Sequence, residues 1–310
     1  MLSKFLDPKN DLAFKRIFGT ERNSDILIHF LNDVLKLKNN PIQTITFLKP
    51  NQDPAIAAER QSIVDVLCED QNHTKFIIEM QVARDPGFTK RAQYYASRTY
   101  INQRDTHVDY KDLKNVQFLA IYDETLFPKK EGYISYHEIR DIQTQENDLD
   151  GFKFVFLELD KFKDQKEDLK TPLQKWAYFF KHAAETKEED LIHIVGSDHI
   201  LKKAYEELNR FGWSQEELLE YESVDMKLSS IKAGQEAFYA DGRAEGRIEG
   251  HIEGRIEGLN EGRTEEKVET AKCMFQMGID LHTIAKSLRI TAEEVKKILE
   301  KKGILFKEDH

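Results

Sequence analysis

The segments Ser62–Cys68 and Lys75–Gln81 are two apolar, β-branched runs joined by the polar stretch Glu69–Thr74, and this pattern reads as an antiparallel hairpin. A turn centred on Asn72 sets Asp65 opposite Glu79. Side chains alternate along a strand, so Gln81 shares the face of Glu79 while Ile78 and Met80 point the other way. Three oxygen-bearing side chains then converge on one point. Like charges directly across a hairpin repel, and a hard divalent cation between them is the economical remedy. The alternative is an amphipathic hairpin that turns the same side chains to water. Against it, Ile63, Val64, Val66 and Leu67 flank Asp65, and Phe76, Ile77, Ile78 and Met80 flank Glu79. Strands covered on both faces look like this, and a carboxylate placed there is costly unless paired or metal-bound.

Upstream, Asp7 reads as a helix cap with Pro8 at the first helical position, and Leu12, Phe14, Ile17 and Phe18 supply an apolar face before Gly19 stops the helix. A second helix is expected over about 24–37, where Leu27, Phe30, Leu31, Val34 and Leu35 keep helical spacing. A strand near Ile42–Phe47 and a loop containing Asn51–Pro54 lead into the hairpin, and Asp85-Pro86-Gly87 breaks the sheet after it. A helix from about Phe88 to Arg104, a buried strand at Val116–Tyr122 and strands near Tyr133–Tyr136 and Phe152–Leu157 follow. Helices and strands in this order predict a mixed sheet carrying helices. The expected division is residues 1–165 for this α/β part, 166–240 for a helical bundle packed on it, 241–268 for a repeat, and 269–310 for a short helical segment.

The repeat consists of tetrads ending in glycine, from Asp241-Gly242 to Leu259-Asn260-Glu261-Gly262, and holds six of the chain's fifteen glycines. Glycine costs about 1 kcal/mol per helical position relative to alanine, and close approach of another helix is the natural compensation. A period above 3.6 implies right-handed winding between partners. The arginine and glutamate stripes each place like charges four apart, which favours a partner that pairs them. A homo-oligomer through 241–268 is therefore expected, with a flexible charged linker as the alternative. Further on, Ile284–Thr291 looks like the turn of a degenerate helix-turn-helix, with Thr291 and Glu294 forming a capping box. Such a pair could touch DNA, although Glu293 and Glu294 would face phosphates and simple packing is the alternative.

At 310 residues and 40% hydrophobic the chain can bury a real core. No run approaches the roughly 20 apolar residues of a membrane span, and the N-terminus lacks an apolar signal core, so a cytoplasmic location without a membrane partner is expected. Cys68 and Cys273 have no metal-ligand spacing and read as reduced and structural. A net charge of −10 argues against non-specific coating of nucleic acid. It leaves room for local basic grooves around Lys9, Lys15 and Arg16 and around Lys90, Arg91, Arg98 and Arg104.

The opening Asp7–Gly19, the Asp65 strand, Glu79-Met80-Gln81, the helix with Arg91, Gln93, Tyr94 and Tyr95, and the glycine–glutamate repeat together resemble the PD-(D/E)XK nuclease superfamily. Within it they resemble the Rpn family of recombination-promoting nucleases and transposases, over most of the chain. The resemblance implies an α/β fold, a PD-(D/E)XK-like mixed β-sheet core flanked by helices and followed by an all-α region. It implies a Mg²⁺-dependent endodeoxyribonuclease that hydrolyses phosphodiester bonds of double-stranded DNA in recombination or transposition-like cleavage. Asp65, Glu79 and a backbone carbonyl such as that of Met80 would hold the ion, with Mn²⁺ or Ca²⁺ as other occupants. Gln81 would orient a water, and Asp11 would be a further acid near the metal, although an acid in a first helical turn is also ordinary dipole complementation.

Two departures stand out. Val64 precedes Asp65 where the superfamily name has proline, and Gln81 stands where it has lysine. Glutamine orients but cannot neutralise. Lys90 and Tyr94, four apart on one helix face, and Lys15 are the expected phosphate or DNA contacts. The competing expectation is a catalytically silent nuclease-fold protein acting as an oligomeric DNA- or protein-binding module, and metal dependence separates the two.

Overall fold

The apolar run Val116–Tyr122 forms the strand around which the sheet is built. The structure, a computed structural model, describes residues 3–48, 64–103, 109–301 and 303. Ser62 and Ile63 of the predicted hairpin, the loop Asn51–Pro54 and Arg104 lie outside the described residues. The chain divides into two compact units, Met1–Gln235 and Glu236–His310.

In the first unit the order is α1 (Asp11–Phe18), α2 (Ser24–Leu35), β1 (Ile45–Phe47), β2 (Val66–Asp70), β3 (Lys75–Gln81), α3 (Phe88–Ile101), β4 (Val116–Tyr122), β5 (Ile134–Glu138) and β6 (Phe152–Glu158). Helices α4 (Pro172–His182), α5 (Glu188–Val195) and α6 (His199–Glu207) follow, and α7 (Gln215–Gln276) begins here and continues into the second unit. The described strands form one six-stranded sheet in the order β1-β2-β3-β4-β6-β5. Parallel pairing of β4 with β3 and β6 puts it at the centre, and antiparallel hairpins close both sides. This is the mixed α/β sheet expected from the sequence.

Strand alternation sorts the side chains between two cores. Val66, Cys68, Phe76, Ile78, Leu119, Ile121, Val155 and Leu157 meet the helices that carry Phe14, Phe18, Phe30, Trp176 and Phe180. On the opposite face Ile77, Phe118, Ala120 and Tyr122 meet Phe88, Ala92 and Ala96 of α3. Small residues every four positions let α3 lie close to the sheet, and Glu79 and Gln81 share its face by the same alternation.

The hairpin pairs Val66 with Ile78 and Cys68 with Phe76, so it centres on Asn72 as expected. Its turn is tighter than the sequence suggested, because Glu69 and Asp70 belong to β2. Asp70 Oδ1 accepts the backbone amides of Asn72 and Thr74, both at 2.9 Å, while His73 takes a left-handed φ of 62°. This side-chain clamp holds the tight turn that follows Asp70. The start of α1 also differs from expectation. Its cap is Asn10, which accepts from the Leu12 amide at 3.0 Å, while Asp7 accepts from the Lys9 amide and closes a turn before the helix. Proline at residue 8 therefore shapes that turn and does not open the helix. Gly19 does stop it, and a Cβ there would lie 2.8 Å from the Lys15 carbonyl oxygen.

In the second unit, the last turns of α7 pack with α8 (Leu281–Leu288) and α9 (Ala292–Lys301) through Ala271, Ile284, Ala285, Val295 and Leu299. Gly278, at φ 83°, provides the break after α7, and Asp280 caps α8 by accepting from His282 and Thr283. The capping box is formed, with Thr291 accepting from the Glu294 amide at 3.2 Å and Glu294 from the Thr291 amide at 2.7 Å. The tetrads lie within α7, and residues 236–267 are all exposed. Among the described residues no helix is long and apolar enough to cross a membrane.

Because one carboxylate holds two turn amides, Asp70→Ala is expected to lower stability by about 1 kcal/mol, measured by urea unfolding. An unchanged midpoint would show that the register rests on the strand faces alone.

Candidate active site

Asp65 sits one residue before β2, where backbone pairing to β3 has not yet begun. The Met80 amide, which points toward β2, would be left without a strand partner there. The Asp65 carboxylate takes it, with Oδ2 accepting at 2.8 Å. Glu79 precedes Met80 in β3 and is 7% exposed, so the two carboxyls face each other across the end of the hairpin as its register requires. The Gln81 carbonyl accepts from the Asp123 amide at 2.9 Å on the β4 side. Alternation along the strand therefore turns the Met80 carbonyl toward the Asp65 side.

The electrostatics are unfavourable as they stand. Burial raises the Asp65 pKa to about 6, with the Met80 amide opposing and the nearby charge and hydrogen bond of Asp11 adding to the rise. Burial raises Glu79 further, to about 8, and the charge of Asp65 adds to it while Arg91 opposes. Glu79 Oε2 is buried without a hydrogen-bond partner among the described residues. A buried acceptor oxygen beside a second, half-buried carboxylate suits a hard cation. Among the described residues no group of three or more His, Cys, Asp and Glu side chains is arranged to hold a metal. The protein ligand set that fits is therefore sparse, two carboxylates with a carbonyl, and Mg²⁺ with its retained waters accepts such a set.

The remaining residues singled out in the sequence fall into place unevenly. Asp11 reaches Asp65 while its carboxylate is ion-paired with Lys15 at 2.8 Å. Lys15 is thus near the acids but engaged. Gln81 is pinned at both ends, its Nε2 donating to the Ala83 carbonyl at 2.7 Å and its Oε1 accepting from Arg91 at 2.6 Å. Lys90 and Tyr94 are exposed on α3, Tyr94 leaning on the Tyr95 ring.

The α3 cation that meets the acids is instead Arg91. Its Nη2 donates to Glu79 Oε1 at 3.2 Å as well as to Gln81, and its Nη1 to Asp85 Oδ2 at 2.8 Å. The spacing of Phe88, Ala92 and Ala96 marks the buried face of α3 and puts Arg91 on that side, with Lys90 and Tyr94 turned away. That periodicity was available in the sequence.

A cleft of about 530 Å³ opens at this end of the sheet. Asp11, Met80, Gln81 and Asp85 line one wall, and Leu228 and Ile231 of α7 line the other. Lys232 holds the helix to Asp123 at 2.7 Å, Lys9 shares that carboxylate at 3.1 Å, and Gln235 donates to the Arg84 carbonyl at 2.8 Å. No sequence periodicity in α7 marked this wall.

Both acids bind protons more tightly folded than unfolded, so metal-free stability rises as pH falls from about 8 toward 4.5 through Glu79, and from about 6 toward 3.8 through Asp65. Glu79→Gln is expected to raise the metal-free Tm at pH 8 by about 2–4 °C and to flatten its slope between those limits, read by calorimetry. A slope equal to the wild type's would place the proton uptake elsewhere.

The description "PD-(D/E)XK nuclease family transposase" belongs to a family model that matches residues 8–232, from the turn before α1 to the part of α7 that walls the cleft. No curated protein and no solved structure matches the chain. Since the matched span takes in most of the sequence together with the acid pair and its hairpin, the chain belongs to the PD-(D/E)XK nuclease family transposases.

Proposed function

We propose that this chain is a metal-dependent endonuclease that hydrolyses phosphodiester bonds of double-stranded DNA in the cytoplasm, in recombination or transposition-like cleavage. The observation that carries the reading is the buried Glu79 Oε2, which has no hydrogen-bond partner among the described residues, beside the half-buried carboxyl of Asp65. Asp65, Glu79 and the Met80 carbonyl would hold Mg²⁺, and Mn²⁺ or Ca²⁺ satisfies the same oxygens. The ion supplies activation of water and neutralisation of charge at the phosphate. The chain's own residues do the rest. The Met80 amide fixes the rotamer of Asp65 through its 2.8 Å bond. Gln81, anchored by the Ala83 carbonyl, presents an amide that orients the attacking water. Leu228 and Ile231 line the cleft that Asp11, Met80 and Gln81 open into.

The test is nicking of supercoiled plasmid with Mg²⁺, Mn²⁺, Ca²⁺ or EDTA, beside Asp65→Ala. Metal-dependent cutting that falls by on the order of 100-fold or more in the variant supports the reading. If wild type and variant leave the plasmid intact under every metal, the protein is a silent DNA- or protein-binding member.

We also propose that the protein self-associates through 241–268. The tetrad helix has Ile248, Ile252 and Ile256 61%, 52% and 54% exposed at four-residue spacing, and a Cβ at any of its six glycines would meet nothing within 4 Å. The isoleucines stand two residues from the glycines, on the opposite side of the helix, so a second copy would cover the isoleucine stripe and leave the glycine stripe outside that contact. Light scattering is expected to give a multiple of 36.2 kDa, and Ile252→Lys with Ile256→Lys a mass near 36.2 kDa. A wild-type mass of one chain rejects assembly through this segment.

A further inference from the structure

Gln81 leaves the site without a cation on β3, yet the site does not lack one. Arg91 approaches from α3 and is fixed on three sides. Its guanidinium lies 5.0 Å from the centre of the Phe88 ring, its Nη1 is held by Asp85 at 2.8 Å, and its Nη2 is divided between Gln81 at 2.6 Å and Glu79 at 3.2 Å. The planar guanidinium holds a strand glutamate, a strand amide and a loop aspartate from two separate nitrogens in one fixed geometry, which a compact ammonium does not impose. The contacts also decide which way Gln81 faces. With its oxygen taken by Arg91 and its nitrogen by the Ala83 carbonyl, the amide has one orientation.

The charge count agrees. When ionised, Asp65, Glu79 and Asp85 carry three negative charges against the single positive charge of Arg91, and a divalent cation closes the difference. Lys15 and Asp11 form a pair that adds nothing to this sum.

Building on the nuclease reading, we propose that Arg91 is the positioning residue that supplies from α3 the positive charge missing at Gln81, holding Glu79 and Gln81 in the arrangement the reaction needs. The strand position and the helix position thus serve one charge site, which one cation can fill and two cannot. Lys90 and Tyr94 lie on the exposed side of α3 and take no part in it.

The test is a double-mutant cycle on Arg91→Ala and Gln81→Lys, read in Tm without metal and in plasmid cleavage with Mg²⁺. Gln81→Lys alone sets an ammonium against the guanidinium and is expected to lower Tm by several degrees. In the Arg91→Ala background the same change is expected to lower it much less or to raise it. Additive Tm effects would overturn the proposal. In cleavage, Arg91→Ala is expected to reduce kcat about 100-fold with KM for DNA within about three-fold, and adding Gln81→Lys to recover at least about ten-fold. Equal rates for Arg91→Ala and wild type, or no recovery in the double variant, would also overturn it. Should Arg91→Ala fail to fold, Arg91→Lys takes its place in the cycle. Wild-type protein that cuts under no metal refutes the nuclease reading, and the Tm cycle still decides whether the two positions share one charge site.

Discussion

Asp65 accepts the Met80 amide at the point where the β2–β3 ladder runs out, and the site follows from that one bond. It satisfies a backbone donor that would otherwise lack a partner, and in doing so it draws a carboxylate into the protein beside Glu79. Neither acid could be there for stability alone. Burial raises the pKa of both, and the charge of Asp65 raises that of Glu79 further. A fold that tolerates such a pair has its compensation in the aromatic core on the far side of the sheet, where Phe14, Phe18, Phe30, Trp176 and Phe180 are fully or almost fully buried. Strain at a site supported by a well-packed scaffold is a common division of labour in enzymes.

What could be read from residues alone followed the range of the interactions involved. The hairpin register needed only two apolar runs and a polar middle, and the observed pairing centres on Asn72 as that pattern required. β4 was legible because an uninterrupted apolar run has few alternatives to a doubly covered strand. Helix starts were less legible. Asp7-Pro8 has the chemistry of a cap, but Asn10 three residues on has it too, and the backbone bond from Asn10 to the Asp7 carbonyl at 3.2 Å closes a turn that decides between them.

The charged groups of the site divide in the same way. Asp65, Glu79 and Gln81 lie together because strand alternation is a local rule. Choosing Arg91 over Lys90 as the cation at the acids requires knowing which side of the helix meets the sheet, and the small residues Ala92 and Ala96 are a quiet marker of that side. The α7 wall lies more than 140 residues from the hairpin in sequence, and no local pattern reports such a contact. The lysine-to-glutamine change at position 81, read in isolation, suggests a weakened enzyme. Read together with a guanidinium 2.6 Å away, it suggests the same charge delivered from another element.

From Glu236 to Lys267 every side chain of α7 is exposed in a single copy, so without a partner this stretch rests on its own backbone hydrogen bonds and on no core. Local opening there uncovers nothing apolar and is therefore cheap. The residues that wall the cleft, Leu228, Ile231 and Gln235, all precede it. A protease acting on the glycine tetrads would therefore detach the C-terminal segment while sparing the acid pair, Arg91 and the cleft wall. One cut peptide bond there would leave a shorter form that keeps the acid pair and the cleft wall and loses whatever follows the cut.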